Sequence, residues 1–220
     1  MEVYRIRVYE SFGDDELSGY LDDEIYFTEE AAYENCPEDI IGLGTYCEYV
    51  VVKEEIEDKD IIMDIGSKNG YPAGALSNFS PHPFELDGVK CNSMEGFLQG
   101  LKFESKEMQE YVCSLVGFAA KKKGSNKNWK EKQILYWRGN PIKRDSKDYQ
   151  NLLNRAYNAL YENGKFQSAL KATHGATLTH SIGKNKKSDT VLTTQEFCSR
   201  LTYLRDKGKL PVNEQLNLFK

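Results

Sequence analysis

Glu95, Gln99 and Lys102 stand four and three residues apart within the segment 92–103. If that segment is a helix, all three lie on one face. A carboxylate, an amide and an amine aligned in this way could stabilise a developing cation, orient water and supply a proton or a nucleophile. Met94, Phe97, Leu98 and Leu101 form the opposing apolar stripe, so a core could hold the helix while its polar face stays in place. The same residues also support a plainer reading. Asn92 followed three positions later by Glu95 is a capping-box pattern, in which Glu95 would only satisfy a backbone donor. Lys102 alone would suit a side chain lying along the helix surface.

Further candidates flank this segment. Asn78, within Ser77-Asn78-Phe79, offers both donor and acceptor groups to a polar ligand, and Phe79 or Trp129 could stack on a flat ring. Core packing is the competing use of these rings, more so for Phe79 than for Trp129. Between Lys121 and Arg144 stand nine Lys/Arg and a single acidic residue, Glu131, interleaved with Trp129, Tyr136 and Trp137. Cations neutralise phosphates and aromatic faces stack on bases, so this composition suits a nucleic-acid strand; a solvated helix face is the alternative. His82, His174 and His180 are too widely spaced to suggest a metal site, and the five cysteines form no C-x-x-C pair. No metal, no other cofactor and no disulfide scaffold are expected. His180 suits either substrate binding or a structural hydrogen bond.

The whole chain sets the frame for these groups. Its 220 residues are 40% hydrophobic and 29% charged, enough for one domain with an extension or two small ones. No apolar run approaches the roughly 20 residues needed to span a bilayer, and the start lacks a basic-then-apolar leader. A cytoplasmic chain with no membrane partner is therefore expected. The net charge of −5 conceals an asymmetry: residues 1–60 hold 19 Asp/Glu against 4 Lys/Arg, and the remainder 15 against 25. The larger, basic part favours phosphate-bearing partners, and an acidic neighbour could restrain indiscriminate binding.

Val3 to Tyr9 alternates as a half-buried strand, the acidic stretch 13–23 reads as an exposed turn, and residues 25–27 could pair with the strand. Thr28 caps a short helix over residues 29–35, stopped by Pro37, and residues 45–53 make a further strand. Residues 1–60 thus form an acidic α+β accessory unit. The charged segment 54–60 is the boundary, followed by a strand over 61–65. From Ser93 onward the pattern predicts helices near 93–103, 105–122, 127–137, 146–161, 165–172 and 193–207. The tail, 208–220, is expected to be loosely held.

Several ordered motifs then converge. Gly74-Ala75-Leu76-Ser77-Asn78-Phe79 precedes a short hairpin, Phe84-Glu85-Leu86-Asp87-Gly88, and then Ser93-Met94-Glu95 with Gln99, Lys102 and Phe103. Asn128-Trp129-Lys130, Lys165-Phe166, Leu170-Lys171-Ala172-Thr173 and Leu178-Thr179-His180 follow. In this order they resemble the NADAR (YbiA-like) family, over roughly residues 66–205.

The resemblance implies an α+β chain whose mainly helical domain, 61–207, hydrolyses N-glycosidic bonds. Known substrate classes in the family are ADP-ribose on nucleobases, including guanine in DNA, and a ribosylated pyrimidine intermediate of riboflavin synthesis. Members also occur in bacteriophages, where removing ADP-ribose from DNA in the host cytoplasm would counter a toxin of the DarT type. It further implies Glu95 and Lys102 as catalytic residues, and Ser77, Asn78, Phe79, Gln99, Trp129 and His180 as substrate-binding ones. The expected partner is an ADP-ribosylated nucleobase or DNA. Two departures stand out: Gly96 replaces the usual His after the family Glu, and the late Trp-Gly element with its acidic neighbour is absent. Residues 183–189 occupy that region, where Asp189 could replace the acidic group or serve only as a turn residue. Action on a free ribosylated nucleotide, or a non-catalytic decoy that binds without turnover, are the competing functions.

Overall fold

The computed structural model describes residues 2–12, 18–21, 25–26, 28–42, 45–55, 61–173 and 175–213. In the N-terminal part, β1 (Glu2–Phe12), β2 (Ser18–Leu21), β3 (Ile40–Gly42) and β4 (Thr45–Glu55) form an antiparallel sheet in the order β2-β1-β4-β3. The expected short helix is α1 (Glu29–Asn35), and the Thr28 hydroxyl accepts from Ala31 N at 3.1 Å as its N-cap. Strand alternation assigns two destinations to β1. Ile6 and Val8 join Ala31, Ala32 and Cys47 in a small cluster, whereas Val3, on the opposite face, belongs to the main core. Tyr26 bridges to Tyr4, as the pairing of residues 25–27 with this strand requires; Phe27, much of the acidic turn, residues 56–60, His174 and the tail from 214 lie outside the described residues.

The remainder is mixed α+β. β5 (Ile62–Asp64) pairs in parallel with β10 (Thr177–Thr179), and the hairpin β6 (Phe84–Leu86)–β7 (Val89–Cys91) leads into α2 (Met94–Gly100). Asp87 and Gly88 turn that hairpin with φ of 50° and 77°, the left-handed conformation that a two-residue turn needs. The main core gathers Phe84 and Leu86 from the hairpin, Phe97 and Leu101 from α2, and Leu152, Leu153, Ala156 and Leu160 from α5 (Lys147–Tyr161). Edge-on contacts of Phe97 with Phe84 and Trp137 lock α2 into it.

Two helical expectations are corrected. The 105–122 stretch is two helices, α3 (Lys106–Cys113) and α4 (Gly117–Ser125), with Gly117 at φ 53° turning the chain between them. The stretch 127–137 is a turn followed by β8 (Ile134–Trp137), which pairs with β9 (Asn140–Lys143). Ile134, Leu135 and Trp137 satisfy helical as well as strand spacing. The hairpin prevails because Arg138 and Gly139, at φ 51° and 80°, close it, and Tyr136 N donates to Leu101 O at 2.7 Å. The helices α6 (Gly164–Ala172) and α7 (Thr194–Lys207) complete the chain, and α7 opens on a capping box between Thr193 and Glu196. Among the described residues no helix is long and apolar enough to cross a membrane.

Candidate active site

All seven residues of α2 are buried. Its N-cap is Ser93, which accepts from Gly96 N at 3.0 Å, and Asn92 instead donates to Ser114 O. Glu95 is thereby not the capping carboxylate: it accepts from Gln99 Nε2 at 2.9 Å. The Gln99 oxygen in turn accepts from Lys102 Nζ at 2.5 Å, and Lys102 also donates to Gly124 O at 3.3 Å. Carboxylate, amide and amine form one continuous chain along the helix.

Close packing makes this chain possible. A Cβ on Gly96 would lie 2.6 Å from Leu115 O and 2.8 Å from Cys113 O, and one on Gly100 would lie 3.0 Å from Cys113 Sγ. The end of α3 therefore rests directly on α2, and the histidine usual in the resembled family has no room at position 96.

The chain forms part of a cleft of about 440 Å³, a volume typical of small-ligand sites. Every residue assigned a catalytic or substrate-binding part from the sequence lines it: Ser77, Asn78 and Phe79 from the loop before β6; Glu95 and Gln99 from α2 and Lys102 just beyond its end; Trp129, His180 and Asp189 from later loops. Asn78 is tied down twice, since its backbone oxygen accepts from Glu95 N at 2.8 Å and its Oδ1 accepts from Tyr157 OH at 3.1 Å. That leaves the Asn78 amide N–H groups for a ligand. Ser77 Oγ accepts from Phe79 N and shapes the loop. The two rings behave opposite to expectation: Trp129 is 6% exposed and part of the main core, whereas Phe79 is half-buried with Lys121 Nζ 5.3 Å from its ring centroid. His180 Nδ1 lies 2.6 Å from Ile65 O, an obligate acceptor, so Nδ1 carries the hydrogen and Nε2 remains for a ligand. Asp189 is exposed, at the end of a short 3-10 turn, Lys187–Asp189, within the stretch that occupies the place of the Trp-Gly element.

Charge in the cleft is lopsided: Lys102, Lys121, Lys127, Lys130 and Lys184 oppose only Glu95 and Asp189. Burial pushes the Glu95 carboxyl above its ordinary range, against the hydrogen bond from Gln99 and the pull of Lys121, Lys102 and His180. Burial also lowers Lys102 to about 8; Glu95 opposes that shift, and Lys130 and Lys121 add to it. Among the described residues no group of three or more His, Cys, Asp or Glu is arranged to hold a metal ion.

Sequence reasoning missed the buttress of the opposite wall. Thr190, Val191, Leu192 and Thr193 line the cleft. Arg144, fully buried, donates from Nε to Thr190 O at 2.9 Å and pairs with Glu196 through two hydrogen bonds of 3.1 and 2.6 Å. Tyr149 OH donates to Val191 O, and Glu196 accepts from Thr193 N at 2.8 Å. In the sequence Arg144 is simply the last of a run of cations, and nothing distinguishes it from its solvated neighbours. Lys184 likewise carries no local motif.

Comparison with known proteins places the chain. A family profile described as bacteriophage protein GP30.3 matches residues 70–206. An uncharacterized 17.1 kDa protein from the Gp30–rIII intergenic region of Enterobacteria phage T4 is 40% identical over 147 residues, covering 66% of this chain and 97% of that relative. Among solved structures, the NMR structure of the E. coli protein YbiA superposes with a TM-score of 0.48 at 19% identity, over 68% of this chain and 85% of that one. The chain thus belongs to the bacteriophage GP30.3 protein family.

Proposed function

We propose that this chain is a NADAR-type N-glycosidase that removes ADP-ribose from nucleobases in DNA, acting in the host cytoplasm to reverse a DarT-type modification. The observation that carries this reading is a buried carboxylate linked through Gln99 to a partly desolvated amine, in a nucleotide-sized cleft lined by five lysines. Breaking the bond from C1′ to the base nitrogen builds positive charge on the ribose, and Glu95 is set to stabilise that charge and take a proton from the attacking water. Lys102, as its ammonium, supplies the proton that the departing nitrogen needs. The base then leaves protonated, and the water oxygen becomes the hydroxyl at C1′. Lys121, Lys127, Lys130 and Lys184 suit the diphosphate and the phosphates of a flanking strand. Asn78 and the His180 Nε2 suit ribose hydroxyls, and Phe79 offers a face for a base. The residues at 1–60 act in this reading as an accessory unit whose acidity limits non-specific contact with nucleic acid.

The test is release of free ADP-ribose from an ADP-ribosylated DNA oligonucleotide, run beside a free ADP-ribosylated nucleoside. Faster release from DNA, weakening steeply with added salt, is expected. Equal, salt-indifferent release would favour the free-nucleotide reading, and tight binding without product would favour a decoy.

A further inference from the structure

Gln99 occupies an unusual position for a ligand-binding amide, because both of its ends are already taken. Its Nε2 donates to Glu95 and its Oε1 accepts from Lys102, while the residue is only 6% exposed. The amide cannot rotate: reversing it would face N–H groups toward an ammonium and an oxygen toward a carboxylate. Gly124 closes the remaining space, since a Cβ there would overlap Gln99 Oε1 and lie 3.0 Å from Gln99 Cβ. The Gly124 carbonyl then accepts from Lys102, so one residue both wedges the amide and holds the amine.

We infer that Gln99 is a positioning residue, a neutral spacer that keeps Lys102 and Glu95 from pairing directly and from sharing a proton, with Gly124 as its lock. This rests on the glycosidase reading only for its purpose, which is to let one group stay an acid while its neighbour stays a base. A carboxylic acid would not serve: in place of the amide it would pair with Lys102 and take up the proton that Glu95 should accept. An aliphatic side chain would leave two buried charged groups without their shared partner.

The charged groups bearing on this chain are few. Glu95 lies in α2 and Lys102 just beyond its end, Lys121 comes from α4, Lys130 from the turn before β8, and His180 from the loop after β10. The spacer's effect is therefore separable from theirs by changing Gln99 alone.

The experiment needs neither substrate nor activity. Acylation of Lys102 by acetic anhydride, followed by peptide mass spectrometry across pH, reports the fraction of neutral amine. In the wild type, half-maximal reactivity is expected at a pH of about 8. In Gln99→Glu it should move upward by about one pH unit or more, because a carboxylate then faces the amine. Gly124→Ala, which dislodges the amide, should also move the midpoint, whereas Gln99→Met, close in size and uncharged, should not move it upward. Circular dichroism confirms folding of each variant. An unchanged midpoint in folded Gln99→Glu overturns the spacer role, whatever the fate of the glycosidase reading. A shifted midpoint in a protein that releases no ADP-ribose would keep the spacer and discard that reading.

Discussion

The phenol of Tyr157, fully buried in the middle of α5, reaches across to the cleft and donates to Asn78 Oδ1 at 3.1 Å. A core residue thereby decides which end of a surface amide a ligand meets. Tyr157→Phe keeps the ring and removes the donor. It should weaken substrate binding about fivefold, the equivalent of one hydrogen bond near 1 kcal/mol, with KM rising more than kcat falls. Steady-state kinetics on an ADP-ribosylated oligonucleotide checks this, and a pure kcat defect would contradict it.

Arg144 and Glu196 form the buried pair that holds the opposite wall. Arg144→Met leaves Glu196 uncompensated and should destabilise the protein by about 3–5 kcal/mol, read by urea denaturation. Combining it with Glu196→Leu should restore part of that loss.

Acid stability follows from the same pair. Desolvation alone would raise Glu196, but Arg144, Thr193 N and Gln150 outweigh it and hold the carboxyl at about 2. Its folded pKa lies below its ordinary value of 4.5, so its contribution is present above pH 4.5 and fades as pH falls toward 2. Glu196→Gln should flatten the stability profile across that window.

How much of this was legible varies with the physics. The spacing of Glu95, Gln99 and Lys102 sufficed to align them, because helical periodicity acts locally. Thr28 announced its helix for the same reason. Ser93 rather than Asn92 caps α2, a one-residue displacement that the chain alone leaves open when two capping residues are adjacent. The β8–β9 hairpin was hidden because Ile134, Leu135 and Trp137 fit two periodicities, and tertiary pairing chose between them. Arg144 was invisible for a different reason: burial of a cation depends on Glu196, 52 residues away.

Lys102 should cost stability. Burial lowers it from 10.5 to about 8, so the penalty for its charge is fully present below pH 8 and is relieved as pH rises to 10.5. Lys102→Met should raise stability at pH 7 by about 1 kcal/mol after allowance for partial exposure and two lost hydrogen bonds, and should flatten the rise above pH 8. Thermal melts at pH 7 and pH 10 measure both effects.

If Glu95 works as a carboxylate and Lys102 as an ammonium, the rate has two limbs. The acid limb lies above the ordinary carboxylate range, because burial raises Glu95, and the alkaline limb lies near pH 8. Lys102→Arg, which keeps the charge but does not release its proton, should lower the rate and remove the alkaline limb near pH 8 in a pH–rate profile.

The most direct measurement is single-turnover release of ADP-ribose from a modified DNA oligonucleotide by wild type, Glu95→Gln and Lys102→Ala. Release by wild type that falls by about a hundredfold or more in each variant, with oligonucleotide binding retained, is the predicted result. Undiminished release in Glu95→Gln, or none in folded wild type, would contradict the account.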